Sequence, residues 1–324
     1  MKLKDLIAHA TDKTRFLSVS NYIEFCSRYL EYIETGLQAR IVSQNECHYE
    51  FFQYRENGSF NITRPLNSRL MYNAETFACA VNDFLMTFEQ IRTGERPPED
   101  SHNINRTIYT IQQSIGATLD ALPAGMSNQA RKVNGDLFER FIKLLIQSLG
   151  VDCVSGVIQV PVKDDSGETL FKANYQHDLL ISKENELKII GSVKTSSKDR
   201  IDKVFMDKFL YNKLTDTALP HIAIFLNDVQ RKKNKKENEY GISATFLPGH
   251  FKAYTIKLNP LDGVYYCDIR PNMIADNLLS KHINTIDKFF YTDLSNFLHK
   301  RGMSLEEIAI AKFKLENETE DPEN

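Results

Sequence analysis

The sequence predicts an α/β fold: a mixed β-sheet flanked by helices, with a mostly helical region in front of it. Three observations predict it. From residue 135 onward the apolar spacings switch in the order helix, strand, strand, strand, helix, strand. Residues 221–226 (His-Ile-Ala-Ile-Phe-Leu) form a nearly continuous apolar run, as expected of a strand covered on both faces. Before residue 125, apolar residues recur instead at three- to four-residue spacing. The 324 residues suffice for one large domain or two smaller ones. They divide into a helical region (1–125), a domain carrying the sheet (126–316) and an acidic tail (317–324).

Taken in order, residues 19–39 read as a helix with Tyr22, Phe25, Tyr29, Ile33 and Leu37 on one face. Residues 47–63 hold several aromatics and an Asn57-Gly58 pair, a hairpin turn signal, so a short β excursion is expected there. Residues 74–91 and 104–119 give two more helices, separated by the polar stretch 94–103 with its Pro97-Pro98 pair. A second break falls at 123–134. Residues 135–149 then form a helix with the stripe Phe138, Ile142, Leu145, Leu149. Residues 153–162 alternate as a strand, and 163–168 make a polar turn. Strands follow at 175–182 and 187–194, with Glu184-Asn185 between them. A helix at 199–214, with Ile201, Val204, Phe205 and Phe209 on one face, leads into the buried run at 221–226. Further strands are expected at 242–246, 253–258 and 264–269, the last two joined by a turn at 260–263. A closing helix is expected from about Met273 to Leu298, and a disordered tail from Asn317.

Composition narrows the function classes. With 42% apolar and 26% charged residues the chain has the balance of a soluble globular protein. No stretch has the apolar length of a membrane helix, and charges occupy the place of a secretory leader. The five cysteines are scattered and form no CxxC pair, which argues against a disulfide framework or a zinc site and for a reducing cytoplasm. Net charge is −3, but residues 188–236 carry 12 Lys and Arg against 5 acids, and residues 304–324 carry 7 acids against 2 lysines. A near-neutral total can therefore hide a basic, phosphate-binding surface, although a solvated loop fits the charge count equally well. No GxxxxGK[ST] loop, GxSxG elbow or Cys-His signature is present, which sets aside ATP motors and the corresponding hydrolases.

The chemistry-bearing candidates sit on two successive strands. Side chains alternate along a strand, so Gln176, Asp178 and Leu180 are expected on one face, and Ser192 and Lys194 share a face of the next strand. If the two strands pair as a hairpin, Asp178 lies near Ser192 and Lys194 at one end of the sheet. Phosphodiester hydrolysis calls for such a set. A carboxylate holds Mg²⁺, which polarises the phosphate and acidifies water, and a lysine positions the attacking water or offsets growing negative charge.

In element order and in its D…SxK spacing, the stretch 134–227 resembles the PD-(D/E)xK nuclease superfamily, which includes many type II restriction enzymes; Thr195-Ser196-Ser197-Lys198-Asp199-Arg200 follows the lysine. The resemblance implies a restriction endonuclease-like core, with Asp178 as the metal-bridging aspartate and Lys194 as the catalytic lysine. His177 replaces the proline of the motif, which carries no chemistry. Ser192 replaces its second acid, and a hydroxyl is a poor metal ligand beside a carboxylate. Restriction enzymes that cut around a CCGG core are similar in this Ser-x-Lys, and in them an acid on the following helix takes over. Here the inward position of that helix falls near Lys208, so the substitute would be Asp202, or Asp207 on a rotated helix. Glu139, in Gly-Asp-Leu-Phe-Glu-Arg-Phe, is the other candidate, because a Glu on the helix before the first strand often reaches the metal in this superfamily. The alternative for Glu139 is a capping box with Asp136 as N-cap.

Lys198 and Arg200 follow the catalytic strand and could grip phosphate or a base edge; as cations in a helix's first turn they are otherwise mildly unfavourable. Arg231 and Lys232 open a basic run that tracks a DNA backbone or forms a surface turn. His177, His221 and His250 lack metal-ligand spacing. The expectation is a Mg²⁺-dependent, type II-like restriction endonuclease acting on double-stranded DNA. It would be homodimeric to match a palindromic site, with a companion methyltransferase for the same site. The N-terminal helices would supply the dimer interface, part of a DNA clamp, or both. The rivals are a repair or structure-selective nuclease on the same core, a non-cleaving DNA binder, and an unrelated α/β domain in which Asp178 and Lys194 are a structural ion pair.

Overall fold

Helices open the chain. The computed structural model describes residues 2–56, 62–95, 103–197, 200–215, 217–232, 239–300, 302–304 and 310–312. α1 (Leu3–Thr11) and α2 (Val19–Gly36) come first, the latter started by a capping box between Ser18 and Asn21. A small antiparallel sheet follows, made of β1 (Leu37–Val42), β2 (Tyr49–Tyr54) and β3 (Leu66–Asn67). The expected β excursion is there, and it takes residues 37–39 out of the predicted helix. Asn57 and Gly58 lie outside the described residues. α3 (Ala74–Thr93) starts on the Asn73 cap and stops at Gly94, whose φ of 80° needs no Cβ to accommodate. α4 (Asn103–Leu119) is buried along almost its whole length.

The predicted α-β-β-β-α-β order is present. α5 (Ser127–Ser148) is followed by β4 (Asp152–Lys163), β5 (Thr169–Lys183) and β6 (Glu186–Lys194), then α6 (Ile201–Thr215) and β7 (His221–Phe225). The rest comprises β8 (Val229–Lys232), β9 (Gly241–Ala244), α7 (Pro248–Lys257), β10 (Gly263–Tyr266), α8 (Pro271–Ala275), β11 (Ile283–Thr285), α9 (Ile286–Lys288), a π-helical turn at Phe289–Asp293, α10 (Leu294–Leu298), β12 (Met303–Ser304) and β13 (Ile310–Lys312). The main sheet has the order β11-β10-β7-β6-β5-β4-β13, with β12 against β6. It is mixed: β4, β5 and β6 run antiparallel, whereas β6, β7, β10 and β11 are parallel. β7 and β10 are buried at every position, which is why β7 reads as an unbroken apolar run.

Helices cover both faces. On one side α2, α4, α5 and the 286–298 helices share a continuous core with Leu179, Ile181, Ile189, Val193, Ile222 and Ile224 of the sheet. On the other side α6 and α7 pack against Ala223, Phe225, Val264 and Tyr266.

Three expectations are corrected. Residues 253–257 belong to helix α7, with Leu258 as its C-cap, not to a strand. Pro248 presets its first turn, and Phe251 and Tyr254 pack on Phe205 of α6 at centroid distances of 5.4 and 5.5 Å. The closing helix is not continuous from 273. The Asp276 carboxylate accepts from the N–H groups of Leu278 and Leu279, ending α8, and residues 283–285 instead extend the sheet beside β10. The helix predicted from 135 begins at Ser127, so Asp136 is mid-helix and the capping-box reading of Glu139 fails.

Candidate active site

β5 and β6 form a hairpin through Glu184 and Asn185, both at positive φ (52° and 62°), as a tight two-residue turn demands. The ladder runs up to Leu179 opposite Gly191, so Asp178 and Ser192 come just beyond its last pair. On the other edge β5 meets β4 with a bulge between the pairs Val154–Leu180 and Gly156–His177. The extra residue breaks strict alternation. His177 meets His221 edge-on and Leu180 packs around Tyr211, both on the α6 side, while Leu179 faces the opposite core. Asp178 therefore does not simply share a face with Gln176 and Leu180. The bulge turns its carboxylate across the sheet edge, where Oδ2 accepts from the Val193 N–H at 2.8 Å and from Lys194 Nζ at 2.6 Å. Ser155 Oγ donates to the Asp178 carbonyl at 2.9 Å and holds the bulge.

Lys194 also donates to Glu139 Oε1, at 2.9 Å. One ammonium thus ties α5 to the middle of β5 and the end of β6. All three side chains keep partial exposure, 28% for Glu139, 24% for Lys194 and 17% for Asp178, so the group is supported by protein yet open to a ligand. Burial, followed by the charge of Asp178, pushes the Glu139 carboxyl well above the usual range, against the pull of Lys194. Burial works against the charge of Lys194, but Asp178 and Glu139 outweigh it and hold its pKa above the ordinary value. Two carboxylates converging on one point form a hard, oxygen-rich donor set that suits Mg²⁺ with its remaining positions on water and phosphate. Among the described residues no group of three His, Cys, Asp or Glu side chains is gathered for a metal.

Lys194 and Glu139 line a cleft of about 1080 Å³. Arg200 and Arg231 line it as well, and so do Arg64, Arg131 and Lys132, three cations that the sequence reading did not single out. Arg64 is fixed by Asp120 through two contacts of 2.9 Å. Arg231 donates to the Ile62 carbonyl at 3.3 Å, so the N-terminal region forms one wall. Lys232 ends β8 in an exposed position and does not line the cleft. Lys198 lies outside the described residues.

The other predicted residues fall elsewhere. Ser192 is half-buried and registers against Ala223 of β7. Asp207 pairs with Lys203 on α6 at 2.9 Å, and Asp202 lies 4.0 Å from His250. Among the described residues, no hydrogen bond or ion pair joins either acid to Asp178 or Lys194. Lys208 does occupy the inward position of α6, buried and bonded to Asp262 at 2.7 Å.

Arg131 and Lys132 were hidden because 127–134 is polar enough to read as a loop. Ala130, Val133 and Leu137, at i, i+3 and i+7, are the stripe that would have extended the helix. No helix among the described residues is long and apolar enough to cross a membrane.

The sequence matches no family model and no curated protein. Among solved structures, the chain is similar to the crystal structure of the Type IIP restriction endonuclease Kpn2I. That match has a TM-score of 0.65 and 17% identity, and it covers 93% of this chain and 98% of that one. A looser similarity, TM-score 0.41 with 10% identity over 69% of this chain and 92% of that one, is to the restriction endonuclease PspGI in complex with substrate DNA. Since the first match spans nearly the whole chain, N-terminal region included, the architecture is that of a restriction endonuclease-like fold.

Proposed function

We propose that the protein is a Mg²⁺-dependent endonuclease that cuts double-stranded DNA at a specific sequence, in the manner of a type II restriction enzyme. The observation that carries this reading is Lys194 held between Asp178 and Glu139 in the wall of a cleft lined with cations. Asp178 and Glu139 would hold the Mg²⁺, with Glu139 on α5 supplying the acid that Ser192 cannot. The bound ion would supply charge stabilisation to the phosphate and acidify water. The chain's own residues do the rest. The Val193 N–H fixes the Asp178 carboxylate, the Lys194 ammonium faces charge that grows on the phosphate oxygens, and the cleft's arginines bind the backbone on either side. The fold similarity to a Type IIP enzyme supports the choice of duplex DNA and of a two-fold dimer on a palindromic site. A methyltransferase of the same specificity would then protect the host's own sites.

The deciding experiment incubates the protein and Lys194→Ala with phage DNA, in Mg²⁺ and in EDTA. Discrete bands that need Mg²⁺ and vanish in the variant are expected. Binding without cleavage would point to the non-cleaving reading, and cleavage confined to nicked or branched DNA to a structure-selective nuclease. Sedimentation of the DNA complex as a monomer would remove the dimer.

A further inference from the structure

Helix α5 runs along the cleft before it reaches the catalytic group. Arg131, Gly135 and Glu139 are spaced four residues apart on one face, and all line the cleft, with Lys132 beside them. Glycine inside a helix is unfavourable relative to alanine, so its presence calls for a reason. Gly116 of α4 has one in packing: an added Cβ would run into the Arg64 guanidinium. Gly135 has none within the protein. It is not at positive φ, and an added Cβ would meet no atom within 4 Å. The space it leaves open is the cleft.

We propose that Gly135 is where the sugar–phosphate backbone of duplex DNA lies against α5, with Arg131 and Lys132 holding phosphates about two helical turns before the strand reaches Glu139 and Lys194. This rests on the nuclease reading above. At 1.5 Å rise per residue, Arg131 to Glu139 spans about 12 Å, which is about three to four phosphates of one strand counted along the duplex axis. The side chains are suited to it. Arg131 is exposed, and its side chain donates a long, 3.4 Å hydrogen bond to Asn128 on the same helix. The neighbouring acids of the cleft, Asp120 and Asp136, are neutralised by Arg64 and by Lys13 at 3.0 Å, which leaves this face positive. A missing Cβ allows the backbone approach that short phosphate contacts require.

The test is Gly135→Ala in the full chain. Its control is Gly249→Ala on α7, where an added Cβ also meets nothing but the position does not line the cleft. Thermal melting is followed by binding of a short labelled duplex of mixed sequence in EDTA, then by cleavage of phage DNA in Mg²⁺. Both variants are expected to melt at or slightly above the wild-type temperature, by about 1–3 °C. Gly249→Ala should bind like wild type, and Gly135→Ala should bind about tenfold more weakly or worse. Arg131→Gln and Lys132→Gln should each reduce the salt slope of binding by about one. Wild-type binding by Gly135→Ala would overturn the proposal and leave the nuclease reading standing. A lowered melting temperature in Gly135→Ala would also overturn it, because glycine would then serve the fold. If wild-type protein neither binds duplex nor cuts phage DNA in Mg²⁺, the nuclease reading fails and this proposal fails with it.

Discussion

Lys194 separates two acids that would otherwise repel each other at the edge of the sheet. If all three act on phosphate, Lys194→Ala, Asp178→Asn and Glu139→Gln should each cut the single-turnover cleavage rate by about 10²–10³ while duplex binding in EDTA survives. Asp202→Ala and Asp207→Ala, at positions that face His250 and Lys203, should cleave near the wild-type rate. A large loss in either, with Glu139→Gln active, would move the second acid to α6. Asp178 and Lys194 were legible in the sequence because a hairpin of alternating strands brings a D…xK pair together. Glu139 was legible as a carboxylate on an apolar helix face. The bulge beside Asp178 was not, since nothing in Tyr175–Leu180 marks an extra residue. A second residue-level consequence concerns His221, which is 2% exposed, with Nδ1–H donating to the Leu219 carbonyl at 2.9 Å. Burial pulls its pKa down to about 4, below the ordinary 6.5. The unfolded chain therefore binds the proton first, so the stability this residue contributes is complete above pH 6.5 and is lost as pH falls from 6.5 to 4. His221→Gln should flatten that part of the stability curve. Urea midpoints at pH 7.5 and 5.0 that drop equally in both proteins would exclude the assignment.

At the scale of elements, the β5–β6 hairpin that carries Asp178 and Lys194 turns on two non-glycine residues at positive φ. Left-handed backbone costs a glutamate more than it costs Asn or Gly. Changing Glu184-Asn185 to Asn-Gly should raise stability by about 1 kcal/mol and the melting temperature by about 2 °C. An unchanged or lowered melting temperature would show that the turn is not under that strain. The strand and helix order around this hairpin was legible because strands of period two and helices of period 3.6 leave different apolar patterns. Where prediction failed, the pattern was short or polar. Residues 253–258 were read as a strand although most of them lie in α7, and the first turns of α5 offered few apolar residues among polar ones. β11 is only three residues long, and its place beside β10 is set by a parallel pairing across sequence that no local pattern records.

At the scale of the whole molecule, the division into a helical region and a domain carrying the sheet describes the order along the chain, while the packing crosses it. Tyr22 of α2 stacks on Phe141 of α5 with centroids 4.6 Å apart and donates to the Leu137 carbonyl at 2.9 Å. Tyr49 and Asn67 donate to the buried Asp268 at 2.9 and 2.8 Å, and Asp287 accepts from the Asn105 N–H at 2.7 Å. One core cluster contains Leu6, Phe25 and Ile108 together with Phe138, Ile181 and Ile224. Removing residues 1–125 would expose the faces of α5 and of the 286–298 helices that this cluster covers, and would strip buried polar groups of their partners. The full chain is therefore expected to unfold in one cooperative calorimetric transition, with equal calorimetric and van't Hoff enthalpies. The 126–316 segment expressed alone should aggregate or bind hydrophobic dye, not fold. Two resolved transitions, or a folded and active 126–316 fragment, would show that the N-terminal region is an appendage. A single transition would make it part of the same folding unit that holds Glu139, Asp178 and Lys194 in place. The wall it contributes to the cleft, through Ile62, Arg64 and Pro65, would then be as fixed as the sheet edge opposite.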